Sequence, residues 1–99
     1  MATVMVMKWP SISRDDYERA REAVNWEGDT PEGAIFHVSW FEDGLRVIDV
    51  WDSEDDFNRF ANERLMPKLQ ELGIGSDQPD VEFHDAHAYF APIASRTTA

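Results

Sequence analysis

The sequence predicts an α+β fold: one antiparallel sheet with helices on one of its faces, in the order β-α-β-β-α-β. Three observations predict it. Four short runs rich in β-branched and aromatic residues are set apart by turn residues. Two stretches with apolar residues at helical spacing fall between the first and second runs and between the third and fourth. Only Glu42-Asp43-Gly44 separates the second run from the third, which makes those two a hairpin.

The first strand is Thr3 to Trp9, ended by Pro10, which cannot donate to a ladder. Ser13 followed three residues later by Asp16 is a capping box. The helix it opens runs from Arg14 to about Asn25, with Tyr17, Ala20 and Val24 as its apolar stripe. Residues 26–33 carry two glycines and a proline and form a loop. Ala34 to Phe41 is the second strand and Leu45 to Trp51 the third, with Gly44 taking the left-handed position of a three-residue turn. Ser53 caps the second helix, whose stripe is Phe57, Phe60, Ala61, Leu65, Leu69 and Leu72. Pro67 kinks that helix or ends its first part near Met66, and Gly73 and Gly75 close it. Val81 to Phe90 is the fourth strand. The order is the ferredoxin-like split βαβ pattern.

Ninety-nine residues make one domain, placed at 1–91, followed by a flexible tail at 92–99. Six Phe, four Trp and two Tyr supply a core that a chain this short needs. Nine basic against 20 acidic residues give a net charge of −11. That argues against a nucleic-acid partner and against an anionic membrane surface, and it favours uncharged or cationic ligands. No cysteine is present, so thiolate catalysis and Cys-ligated metal are excluded. No apolar run approaches the ~20 residues that span a bilayer. No basic-then-apolar leader is visible, which gives a cytoplasmic expectation.

Strand alternation sorts the candidate site residues. With Phe41 opposite Leu45, His37 faces Asp49 and Ile35 faces Trp51. One sheet face is then almost wholly apolar and is expected to meet the helices. The other holds His37, Ser39, Phe41, Asp49 and Trp51 and is expected to line the interior of a homodimer of stacked sheets. A two-residue turn would instead separate His37 from Asp49. An aspartate beside a histidine fixes the imidazole tautomer and frees the other nitrogen as a general base; the same pair also serves as a purely structural hydrogen bond. Asp85, His87 and Tyr89 share a face of the fourth strand, which places His87 and Tyr89 in the cavity lining. His84 and His87 point to opposite faces and cannot chelate one ion together. A His37–His87 metal site is the remaining arrangement, and no metal is expected. Trp51 is either a stacking wall for an aromatic substrate or a core residue. Trp26 is either a lid or a cover for the helix end. Gly73-Ile74-Gly75 lacks the spacing of a phosphate loop.

The run Arg46-Val47-Ile48-Asp49-Val50-Trp51-Asp52-Ser53-Glu54-Asp55-Asp56-Phe57 resembles the strand-to-helix junction of antibiotic-biosynthesis-monooxygenase-like proteins in the dimeric α+β barrel superfamily. Phe36-His37 and Arg64-Leu65-Met66-Pro67 resemble its small actinobacterial members, and the likeness covers roughly residues 3–90. It implies a homodimer that binds a small apolar or aromatic molecule. It also implies a cofactor-independent monooxygenase-type reaction on an aromatic or polyketide-like substrate, with His37 as base, Asp49 as its orienter and Trp51 as a stacking wall. Ser39, Phe41, His87 and Tyr89 complete the expected binding residues. The alternatives are a polyketide cyclase or isomerase using the same base, and a non-enzymatic binding or assembly protein. Haem-degrading relatives use an Asn on the first strand and a His on the second helix; this chain has neither.

Overall fold

Valine and methionine alternate through β1 (Thr3–Trp9), and the strand they form is the centre of the sheet. It is followed by α1 (Arg14–Val24), β2 (Ala34–Phe41), β3 (Leu45–Trp51), a second helical stretch over 54–72, and β4 (Asp80–Asp85). The computed structural model describes residues 1–92. The expected tail over 92–99 lies, apart from Pro92, outside them. The sheet order is β2-β3-β1-β4 and every pairing is antiparallel, the ferredoxin-like arrangement. No helix of the described residues is long and apolar enough to cross a membrane.

Local chemistry explains the element ends. The Ser13 side chain accepts from the Asp16 N–H, and the Asp16 carboxylate accepts from the Ser13 N–H, so the capping box is closed. Asn25 stops α1 by turning left-handed at φ 58°, a conformation asparagine tolerates. The hairpin turn is Glu42-Asp43-Gly44, with the Glu42 N–H donating to the Gly44 carbonyl at 2.9 Å. Gly44 has φ +95°, and its Cα lies so near Pro10 that an added Cβ would sit 2.3 Å from the Pro10 Cα. This turn pairs Phe41 with Leu45 and His37 with Asp49. Nearer its start β2 bulges: Ala34 pairs with Trp51 and Phe36 with Val50, leaving Ile35 over. Trp51 therefore faces Ala34 and not Ile35.

The second helical stretch has three parts: α2 (Glu54–Phe60), a π-helical turn (Ala61–Leu65) and α3 (Met66–Leu72). Pro67 does not end it. The Met66 N–H bonds back to the Ala61 carbonyl, five residues away, and Pro67 falls just past that wide turn, in the first turn of α3. There the missing N–H costs least. The extra residue in the π turn also sets the helical phase back, so Leu65 and Leu69 pack with Phe57 and Phe60 on the core.

Two expectations are corrected. The fourth strand was expected to reach Phe90, yet β4 stops at Asp85. Strand length is set by the partner: Asp85 pairs with Thr3, where β1 begins, and the last bond is Ala86 N–H to Ala2 carbonyl. Nothing is left for residues 87–90 to pair with, and they are exposed. The sheet faces are also the reverse of the expectation. The helices cover Met5, Met7, Trp9, Leu45, Val47, Asp49 and Trp51, the face that includes His37 and Ser39. Its polar groups bond to one another, so the apolar majority on that face governs which side is buried. The opposite face stays open, with Phe36 47%, Val38 40% and Trp40 39% exposed and Lys8, Arg46, Glu82 and His84 on the same side of the sheet.

Candidate functional site

A cavity of about 230 Å³ lies between the sheet and the helices, inside one chain. Met5, Met7, Val47 and Trp51 form its floor, and Phe57, Phe60, Leu65 and Leu69 come from the second helical stretch. Trp26, Glu27, Thr30 and Pro31 from the loop after α1 close one side. That loop is tied down twice. Arg21 on α1 grips the Glu27 carboxylate, and Arg64 lies 3.7 Å from the Asp29 carboxylate. The Arg21 hydrogen bond holds the Glu27 carboxyl below the usual carboxylate range, and Glu27 in turn holds the guanidinium above its ordinary value.

The polar part of the wall is a chain of four side chains. Asp49, only 6% exposed, uses both carboxylate oxygens. Its Oδ2 accepts from the Trp51 indole N–H at 3.1 Å, and its Oδ1 accepts from His37 Nδ1 at 2.6 Å. A carboxylate only accepts, so the proton of a neutral His37 sits on Nδ1 and its Nε2 carries a lone pair. Tyr17 Oη, from the first turns of α1, lies 2.8 Å from that Nε2 and donates to it. The Tyr17 and His37 rings are within 4° of parallel. Trp26 packs against both, with centroids 5.8 Å from Tyr17 and 5.4 Å from His37. His37 belongs to the sheet's outermost strand, and 33% of its side chain stays open at the cavity rim.

Burial raises the Tyr17 phenol above its ordinary value. The Ser39 hydroxyl and the Arg21 charge oppose the rise, while the Glu18 and Asp49 charges add to it. The phenol is thus held neutral, a donor to His37.

The structure brings His37, Asp49 and Trp51 together on the cavity wall. Ser39 shares their face and sits near Tyr17 without lining the cavity. Phe41 meets the Tyr17 ring edge-on at 6.1 Å, beneath the Arg14 guanidinium, and is likewise outside the lining. His87 and Tyr89 lie past the end of β4, exposed and away from the cavity, because the strand that would have carried them inward ends at Asp85. The cavity itself sits against the helices and not in a dimer interior. Among the described residues no three His, Asp or Glu side chains converge in a way that could hold a metal ion, so His37 and His87 form no such site. Sequence reasoning placed Tyr17 in the helical stripe and among the tyrosines that a cyclase-like site could use, without pairing it with His37. Its hydroxyl on an otherwise apolar face was the available signal, since a buried tyrosine hydroxyl seeks a partner.

No protein-family model matches the chain, and no curated protein matches its sequence significantly. Solved structures do match in shape. A protein of unknown function from Nitrosomonas europaea aligns with TM-score 0.65 at 15% identity, over 94% of this chain and 95% of that one. A conserved protein from Methanosarcina mazei Go1 gives TM-score 0.56 at 11% identity, over 84% and 89%. A mutant of SnoaB, a cofactor-independent oxygenase from Streptomyces nogalater, gives TM-score 0.55 at 18% identity, over 89% and 94%. At these identities the likeness establishes the fold.

Proposed function

We propose that the chain binds a small, neutral aromatic or polyketide-like molecule between sheet and helices and oxidises it with molecular oxygen, using His37 as general base. The observation that carries this reading is the Trp51–Asp49–His37–Tyr17 chain on the wall of an aromatic-lined cavity. Asp49 stabilises the imidazolium that forms when His37 takes a proton. The cavity wall includes Asp16, Glu27 and Asp49 but neither Lys nor Arg, which suits a neutral ligand over an anionic one. A structural neighbour that is itself a cofactor-independent oxygenase supports the reaction class.

The chemistry balances without a reductant. A CH₂ flanked by carbonyl or aryl groups reacts as its enol tautomer, which loses its O–H proton to the base and becomes an enolate. The enolate passes an electron to O₂, and the resulting pair combines into a peroxide bonded at that carbon. Breaking the second C–H bond and the O–O bond leaves C=O and water. The substrate loses four electrons and O₂ gains four. His37→Ala is expected to lower oxygen uptake with an anthrone probe by roughly 10²–10⁴-fold. Unchanged uptake would sink the base assignment. A parallel reaction under nitrogen that still consumes the probe marks the cyclase or isomerase alternative.

We further propose that the chain is a homodimer, its open sheet faces packed together. Val4, Val6, Phe36, Val38, Trp40 and Ile48 form an apolar face that one chain leaves to water, at a cost of about 25 cal/mol per Å². Sedimentation at micromolar concentration is expected to give twice the 11.4 kDa chain mass, and Val38→Lys to return it to 11.4 kDa. A single-chain mass for the native protein would overturn the dimer.

A further inference from the structure

We propose that Tyr17, and not His37, is the group that meets the substrate, and that it relays the substrate's proton to His37. This rests on the reading of His37 as the base.

His37 Nε2, the nitrogen a direct base would use, is already occupied: Tyr17 Oη stands 2.8 Å from it. The two rings lie within 4° of parallel, with their centroids 6.3 Å apart. Trp26 on one side and Phe41 at the Tyr17 edge hold this geometry. A substrate that bonded directly to Nε2 would have to break it. Tyr17 also borders the cavity, and a phenolic oxygen that has donated its proton keeps acceptor capacity for another hydroxyl.

The substrate acid is therefore an O–H group: a phenol, or the enol of a 1,3-dicarbonyl or an anthrone. In the relay the substrate O–H bond breaks as a new bond to Tyr17 Oη forms. The tyrosine's own O–H bond breaks as an Nε2–H bond forms. The substrate keeps the electron pair as an enolate or phenolate, and the positive charge comes to rest on His37 beside the Asp49 carboxylate. Tyr17 is neutral before and after. That agrees with its burial, which disfavours a standing tyrosinate and makes the two transfers concerted. Trp51, through its bond to Oδ2, fixes the carboxylate at the far end.

The test compares Tyr17→Phe with His37→Ala in oxygen uptake on an anthrone probe, together with a proton inventory of the native protein in mixed H₂O and D₂O. Tyr17→Phe removes one oxygen and keeps the ring packing. It is expected to lower kcat by roughly 10²-fold or more while KM stays near the native value. The inventory is expected to curve, because two protons move together. ¹⁵N NMR of Tyr17→Phe is expected to keep the His37 proton on Nδ1, which separates a lost relay from a displaced imidazole. If Tyr17→Phe keeps its turnover while His37→Ala loses it, or the inventory is linear, the relay is wrong and His37 acts directly. If both variants turn over normally, the base assignment falls as well.

Discussion

Asp49→Ala is expected to destabilise the fold by about 2–5 kcal/mol and to abolish turnover. The side chain is nearly sealed from water and serves two donors at once, the Trp51 indole N–H and His37 Nδ1–H. Alanine leaves both without an acceptor. Each orphaned donor costs about 1–3 kcal/mol in proportion to its burial, and Trp51, itself 4% exposed, has no route to water. Relief from burying a charge offsets part of this. Against a total stability of about 5–15 kcal/mol the loss is large, and the urea midpoint measures it. Asp49→Asn separates the two roles. Its oxygen can still accept from Trp51, so stability falls less. Its amide N–H₂ then faces His37 Nδ1, moves the imidazole proton to Nε2, and leaves no lone pair for Tyr17. Near-native stability with lost turnover, and ¹⁵N shifts reporting an Nε2–H tautomer, is the expected pair of results. An active Asp49→Asn protein with its proton still on Nδ1 would remove the orienting role.

Gly44→Ala is expected to cost about 2–5 kcal/mol, combining left-handed strain with overpacking, whereas Gly73→Ala costs about 1 kcal/mol. Both glycines have positive φ, +95° and +71°. Their surroundings differ. A Cβ at Gly73 meets nothing within 4 Å, while one at Gly44 meets the backbone of Pro10 at 2.3–2.8 Å. Backbone cannot rotate aside as a side chain does, so the turn or the end of β1 must shift. The two variants, unfolded in urea side by side, separate conformational strain from steric contact. Equal losses would show that Gly44 is needed for its φ alone. A shifted turn would also move the register that sets His37 opposite Asp49.

The bounds of β1, β2 and β3 were legible because each ends at strong punctuation: Pro10, the Glu42-Asp43-Gly44 turn, and the Ser53 cap. The same turn made the His37–Asp49 pairing legible, since its length fixes the register. What escaped depends on contacts between distant segments. The end of β4 is set by where β1 begins, not by the strand-forming residues 86–90. Which face meets the helices turned on whether His37 and Asp49 satisfy each other, and counting polar residues face by face treats them as a burden. The bulge at Ile35 has no glycine or proline at the bulged position itself to announce it. Tyr17 was legible as a stripe residue and as one of two tyrosines open to a cyclase-like role, but its partner was not, because only α1 laid across the sheet brings its hydroxyl to His37.

The π turn at Ala61–Leu65 spends one residue more than an α-helical path over the same span. A relative whose helix is α-helical throughout is therefore expected to be one residue shorter there, and to line up with this chain only through a gap in mid-helix. Alignments that confine gaps to loops would slide Leu69 and Leu72 one position around the helix. They would mismatch the stretch from Pro67 to Gly73, where the two backbones are expected to agree in shape. Superposition of backbones, compared residue by residue on either side of Leu65, is the way to trace such kin.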